Sequence, residues 1–251
     1  MYVYIVSDIH LECQNDDFNL SSVLIKPDHT NSILVCCGDI CTLYKIDKIY
    51  RFFDYACSIF KYVIYVPGNC EYYKPTDTKK SITFSMLNQT LDSLSDRYNN
   101  LHILNNESIQ VNDFLITGSI LWSHINYDLP HHFKISGFSK EIYNRKNKTC
   151  INFIKKQIQY AKQTKYKHLI ITHYPPSKEC LLNTNPDKKD KYKTMYYNNL
   201  DGLFDNNLTW IYGHCHNNKN FKISNTQLVS NQYGKNNFFD SNFSNNYFIL
   251  I

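Results

Sequence analysis

From Tyr2 to Leu250 the chain alternates short runs rich in Val, Ile, Tyr and Cys with segments whose apolar residues recur every three or four positions. Runs of β-branched and aromatic residues suit strands, and a 3.6-residue apolar period suits a helix with one face on a core. Strands separated by helices pair in parallel, so this alternation points to an α/β fold. Strands are expected at residues 2–6, 33–37 and 62–66. Ile46, Ile49, Phe53, Ala56 and Phe60 mark a helix between the last two. A second helix is expected from about residue 80 to 97 on Ile82, Leu87, Leu91 and Leu94, leading into a strand at 101–104. Residues 108–111 and 114–120 read as a hairpin across Asn112-Asp113, a turn-favouring pair. Residues 125–148 show no clear period and are expected to form a long loop or cap. Ile151, Ile154, Ile158 and Ala161 mark a third helix, followed by strands at 168–172, 209–212, 227–230 and 247–250. No Gly/Ser-rich or Pro-rich linker and no repeat divides residues 1–251, so one domain is expected.

The polar residues that carry chemistry sit just after the strands, where α/β sheets place ligands. The first strand ends in Ser7-Asp8-Ile9-His10, the second in Gly38-Asp39 and the third in Gly68-Asn69-Cys70-Glu71. A later one ends in Thr172-His173-Tyr174-Pro175-Pro176, and another in Gly213-His214-Cys215-His216. Each alone fits a surface turn or a buried polar cluster. An Asp and a His two apart on an extended segment point to the same side and can share one metal. Together the five strand ends offer Asp8, His10, Asp39, Asn69, His173, His214 and His216, enough mixed nitrogen and oxygen donors for two adjacent divalent ions if Asp39 is shared. Imidazole and carboxylate donors suit Mn, Fe, Zn, Co or Ni, with Mn favoured.

In this order the motifs resemble those of the calcineurin-like metallophosphoesterases, which run D-x-H, G-D, G-N-H-[E/D], H and G-H-x-H. Gly118-Ser119-Ile120-Leu121-Trp122 and Leu228-Val229-Ser230-Asn231-Gln232-Tyr233-Gly234 are similar to further blocks of a bacterial-type branch. The resemblance implies a four-layer sandwich of two mixed β-sheets flanked by helices, with the metals at one edge. It places Asp8, His10 and His216 on one ion, Asn69, His173 and His214 on the other, and Asp39 between them. It also implies in-line attack on a phosphate ester by a hydroxide shared between the ions, with Asn69, Cys70 and His173 as the catalytic positions.

Cys70 departs from the pattern, because the family's histidine there is often assigned to protonating the leaving group. A thiol is a weak donor, and a missing general acid typically costs ~10²–10⁴ in rate when the leaving group needs a proton. Some relatives that act on phosphodiesters carry G-N-C. The expected activity is therefore a phosphodiesterase on small nucleotide-like or cyclic-nucleotide substrates. The alternatives are a phosphomonoesterase, a nuclease acting on polymers, and a non-catalytic scaffold. His124 or His131 from the following loop is a second candidate for assisting the leaving group. Gly38-Asp39 lacks the Asp-Arg-Gly continuation of protein Ser/Thr phosphatases, which argues against a phosphoprotein substrate.

Composition sets the remaining bounds. With 251 residues, 43% hydrophobic and 20% charged, the chain suits an ordinary globular fold rather than a disordered or coiled-coil one. A net charge of +5 permits phosphate-bearing partners without indicating nucleic acid, which calls for a clustered basic face. The lysines around 155–167 and 188–193 read as solvated faces, with guidance of a polyanionic substrate as the other possibility. No apolar run is long enough for a membrane span, and no signal peptide is evident. With nine cysteines, an odd number, reduced thiols in the cytoplasm are expected.

Overall fold

The computed structural model describes residues 1–29, 31–76, 78–131, 133–181, 192–235 and 242–251. The polar run at 188–191 lies outside them.

β1 (Tyr2–Val6), β2 (Ser32–Cys36), β3 (Tyr62–Tyr65) and β4 (Leu101–Ile103) pair in parallel in chain order, and β11 (Phe248–Leu250) closes the far edge antiparallel to β1. The second sheet has the order β5-β6-β7-β8-β10-β9. Its parallel centre is β6 (Phe114–Ser119), β7 (Lys167–Thr172), β8 (Leu208–Tyr212) and β10 (Thr226–Val229). β5 (Glu107–Val111) and β9 (Asn220–Ile223) pair antiparallel at the two edges.

Side-chain alternation along the strands builds the layers. Val3, Ile5, Ile33, Val35 and Ile64 point from the first sheet onto Ile116, Leu169, Ile171, Ile211 and Val229 of the second. Tyr4, Val6, Leu34, Cys36 and Tyr65 point outward under helices. Helices α1 (Ile46–Ile59) and α2 (Phe84–Arg97) cover the first sheet, and α3 (Lys140–Thr164) covers the second. The result is the expected four-layer sandwich of two mixed sheets flanked by helices. Each fully buried Val or Ile contributes roughly 1.5–3 kcal/mol.

Three expectations change. The second helix begins at Phe84 rather than near residue 80, because Thr83 caps it by accepting from the Met86 N–H. The stretch 125–148 is not all loop, since α3 starts at Lys140 with Ser139 as its cap. Its buried face runs Tyr143, Asn147, Cys150, Ile154, Ile158 and Ala161. A buried asparagine breaks the apolar period that would have shown the first two turns. Asn147 is satisfied there, donating to the Trp122 carbonyl and the Asn198 side chain. The short strand β9 also went unforeseen, because Asn-Phe-Lys-Ile on an exposed edge carries little apolar signal. Among the described residues, no helix is long and apolar enough to cross a membrane.

One core histidine gives a pH-dependent stability. His168 on β7 is buried and shares a 2.8 Å hydrogen bond with Thr117 Oγ1 on β6. Burial pushes it down to about 4. In the unfolded chain a histidine titrates near ~6.5, so below that pH the unfolded state takes up a proton that the folded state refuses. Its contribution is complete above ~6.5 and is lost as pH falls toward 4, by up to about 3 kcal/mol. Urea unfolding of the native protein and of His168→Leu at about pH 7 and pH 5 should show a fall about 2 kcal/mol steeper for the native chain. Equal pH dependence of the two would exclude this role.

Candidate metal centre

β1, β2, β3, β7 and β8 run parallel within their sheets, and the segments leaving their C-terminal ends converge. Asp8 N–H donates to Gly38 O, His10 N–H to Asp39 O and Gly213 N–H to His173 O, each at 3.0 Å. These bonds carry the pairing beyond the strands as an irregular ladder.

Asp8 and His10 do share a side, but not by extended alternation. Both are left-handed, with φ of 54° and 51°. Asp39, His214 and His216 are left-handed as well, at 53°, 74° and 50°. For residues with a Cβ this conformation costs roughly 1–2 kcal/mol each, and strain of that kind concentrates where side chains must be aimed. Gly38 and Gly68 make the convergence possible. A Cβ on Gly38 would lie 2.6 Å from the Gly68 nitrogen, and one on Gly68 would lie 2.2 Å from Asp39 Oδ1.

The seven expected donors form two clusters. In the first, His10 Nε2 lies 3.1 Å from His216 Nε2, and His216 Nε2 lies 3.4 Å from Asp8 Oδ1. In the second, His173 Nε2 lies 3.0 Å from Asn69 Oδ1 and 3.2 Å from His214 Nδ1. Asp39 reaches both, with Oδ1 3.3 Å from His173 Nε2 and Oδ2 3.8 Å from His10 Nε2.

The donor chemistry fits two divalent cations. His173 Nδ1 lies 2.8 Å from the Cys37 carbonyl, and His10 Nδ1 lies 2.9 Å from Glu12 Oε1. Both acceptors require the proton on Nδ1, which leaves each Nε2 lone pair aimed into its cluster, the arrangement of histidine ligands fixed by a carbonyl or carboxylate. Bare nitrogens and carboxylate oxygens facing one another at such distances repel unless a cation lies among them. Without one the charges polarise sharply. Burial disfavours the Asp39 carboxylate, yet His173 and His10 hold it well below the usual range. Burial likewise works against a charged His173, but Asp39 and Asp8 bring it up to about 9. Burial and the neighbouring His173 charge push His214 down to about 3.

Cys70 sits against the centre in two ways. Its N–H donates to Asp39 Oδ1 at 2.8 Å, and its thiol belongs to a third group of donor atoms with His10 and Glu12. Burial, then the Asp39 and Glu12 charges, push the thiol far up, so it stays protonated. Glu71 is completely buried and accepts from the N–H groups of Asp39, Ile40 and Gly68 and from the Tyr65 hydroxyl. Tyr174 packs beside the second cluster. Its ring lies 4.0 Å from that of His214 and its hydroxyl 3.3 Å from that of Tyr143.

The structure does not bring the loop histidines to this centre. His124 is exposed and lines a groove with Asn144 and Arg145 on the outer side of α3, and His131 is exposed. Neither belongs to a donor cluster. Conversely, Glu12 and Lys235 escaped notice in the sequence, and Gln232 stood out only as part of the 228–234 block, with no role. Glu12 extends the Asp8, His10 spacing by two, which could have exposed it. Gln232 accepts from the His216 N–H at 2.7 Å. Lys235 is half-buried, and against the pull of burial the Glu12 and Asp39 carboxylates hold its ammonium up.

Comparison with known proteins agrees with this geometry. A model of the calcineurin-like phosphoesterase family matches residues 1–218. The chain is 28% identical to an uncharacterised protein, L509, of Acanthamoeba polyphaga mimivirus over 91% of this chain and 89% of that one. Among solved structures it is similar to a phosphopantetheinyl hydrolase of Mycobacterium tuberculosis, with a TM-score of 0.69 and 14% identity over 92% of this chain and 89% of that one. A putative 5'-nucleotidase of Staphylococcus aureus matches with a TM-score of 0.55 and 15% identity, over 92% of this chain and 48% of that one.

Proposed function

The chain belongs to the calcineurin-like phosphoesterase family, and on that premise we propose that it is a dinuclear-metal phosphodiesterase acting on small nucleotide-like esters. The observation that carries the two-ion reading is Asp39, whose two oxygens enter different donor clusters. In this reading Asp8, His10 and His216 hold one ion, Asn69, His173 and His214 the other, and Asp39 both. Such ions supply charge neutralisation at the phosphoryl oxygens and a source of nucleophile at neutral pH. The protein's part is to fix the donors. Glu12 and the Cys37 carbonyl set the tautomers of His10 and His173, and Tyr174 packs against the His214 ring.

The diester preference rests on Cys70, where the family's proton donor is missing and the thiol is a poor substitute. A diester carrying a good leaving group does not need that proton. The names of the fold neighbours, a phosphopantetheinyl hydrolase and a putative 5'-nucleotidase, support phosphopantetheinyl and nucleotide esters as first substrates to try. Nitrogen and oxygen donors support Mn, and nine free cysteines support a reducing, cytoplasm-like compartment. Turnover of bis- and mono-p-nitrophenyl phosphate by Mn-loaded protein tests the preference, and a faster monoester reaction would sink it. Cys70→His should raise turnover of an alkyl monoester, whose leaving group needs a proton, by at least ~10-fold, with little change for the activated diester.

A further inference from the structure

The net positive charge of the chain is concentrated on one helix. The 25 residues of α3 carry seven basic side chains and one acidic, Glu141, a balance of +6 against +5 for the whole chain. Removing those from the chain's 27 basic and 22 acidic residues leaves 20 and 21, so the rest of the protein is nearly neutral. A general enrichment in lysine would not produce this segregation.

The fold puts part of that charge on one outer surface. Tyr143, Asn147, Ile154 and Ile158 face the second sheet, while Arg145, Lys148, Lys155 and Lys156 are exposed. Other cations nearby are occupied: Lys162 pairs with Asp205, Lys140 donates to Asn126 O, and Lys146 lies over the Phe84 ring. Arg145, Lys148, Lys155 and Lys156 take part in no ion pair among the described residues. A groove of about 560 Å³ runs beside Arg145, Lys148, Asn152 and Lys155, and no carboxylate lines it. From Arg145 to Lys156 is roughly 16 Å of helix, a length over which one duplex strand presents about five phosphates.

We propose that the outer face of α3 is a sequence-independent binding surface for double-stranded nucleic acid, on which Arg145, Lys148, Lys155 and Lys156 neutralise backbone phosphates. The surface chemistry separates this partner from others. A membrane-bound helix needs an apolar face, and the only exposed large apolar side chain on α3 is Tyr160. A protein interface has a core depleted of charge, which is absent here. Single strands are held by stacking on a series of aromatic rings, and the groove has no Phe, Tyr or Trp, His124 being its single ring. What remains is cations interleaved with amides, the set that contacts phosphates. The face lies across the helix from Tyr143, which touches the wall of the metal centre through Tyr174, so binding and hydrolysis are separable.

Fluorescence anisotropy with a labelled 20-base-pair duplex of arbitrary sequence, titrated at rising salt, tests this. The native chain should bind at about 50 mM salt with a log–log salt slope of about −3 to −4. The combined Arg145→Glu, Lys148→Glu, Lys155→Glu, Lys156→Glu variant should lose at least ~100-fold in affinity while hydrolysing bis-p-nitrophenyl phosphate and melting as the native chain does. Replacing the same four residues by Gln should flatten the slope by about three or four. A control with Lys26, Lys61, Lys79 and Lys80 changed to Glu should retain most of the affinity. Absence of duplex binding, equal loss in the control, an unchanged slope in the Gln variant, or tighter binding to phosphatidylserine vesicles or polyglutamate would each overturn the proposal.

Discussion

Replacing Asp39 by Asn is expected to reduce hydrolysis of bis-p-nitrophenyl phosphate by ~10³-fold or more. Elemental analysis should show bound metal falling from about two ions per chain to about one or fewer. The change keeps the size of the side chain and an oxygen to accept the Cys70 N–H, now 2.8 Å from Oδ1. What it removes is the negative charge that lies between His173 on one side and His10 on the other. An amide offers one carbonyl oxygen, so it can serve one cluster and must turn its NH₂ toward the other. His214→Ala is the informative comparison, because it strips a donor from the second cluster only and should leave the first ion in place. If Asp39→Asn keeps about two ions and turns over within a few-fold of the native chain, Asp39 does not bridge. Melting temperatures measured with chelator present separate this from a folding defect.

The candidate centre was legible because parallel strands deliver their C-terminal ends to one edge, and each end is marked by an abrupt change from apolar to polar residues. Asp39, Asn69, His173, His214 and His216 follow from that pattern without any knowledge of long-range contacts. How Asp8 and His10 come to share a side was not legible. Their agreement rests on two left-handed residues held by bonds to Gly38 and Asp39, and Asp and His favour that conformation too weakly to mark it in a sequence. Glu12 continues the spacing of Asp8 and His10 by two, a signal the sequence did carry, although its reach to His10 Nδ1 depends on the turn that follows. The first two turns of α3 were obscured by Asn147, a polar residue at a buried position whose partners, Trp122 and Asn198, lie far along the chain. That omission had a consequence for charge. Lysines at 155–167 read as a solvated face, whereas adding Arg145 and Lys148 to the same helix extends the exposed basic side chains over three turns.

Glu71→Gln is the substitution expected to cost most in stability. Both carboxylate oxygens are used twice: Oε1 accepts from Ile40 N–H and the Tyr65 hydroxyl, and Oε2 from the N–H groups of Asp39 and Gly68. Glutamine is nearly isosteric but offers a single acceptor oxygen. With its NH₂ on the Oε1 side it can donate to the Tyr65 oxygen and keep the Asp39 and Gly68 bonds, so the Ile40 N–H is left without a partner in a site with no water-accessible surface, at about 1–3 kcal/mol. Burial and the neighbouring Asp39 charge already push Glu71 up to about 7, against the pull of His173 and Tyr65. The carboxylate is therefore retained at a cost, and its return is geometric: it ties the Gly38-Asp39 exit of β2 to the Gly68-Asn69 exit of β3. A loss of about 1–3 kcal/mol in urea unfolding is expected. Metal affinity should fall about 10-fold, since Ile40, the residue after Asp39, loses the bond that holds its backbone. The two effects have different signatures. A purely structural residue would lower the midpoint of unfolding and leave the metal affinity of the folded fraction unchanged, whereas a positioning residue must weaken both. Unfolding that matches the native chain to within about 0.5 kcal/mol would show that the four accepted bonds are replaceable.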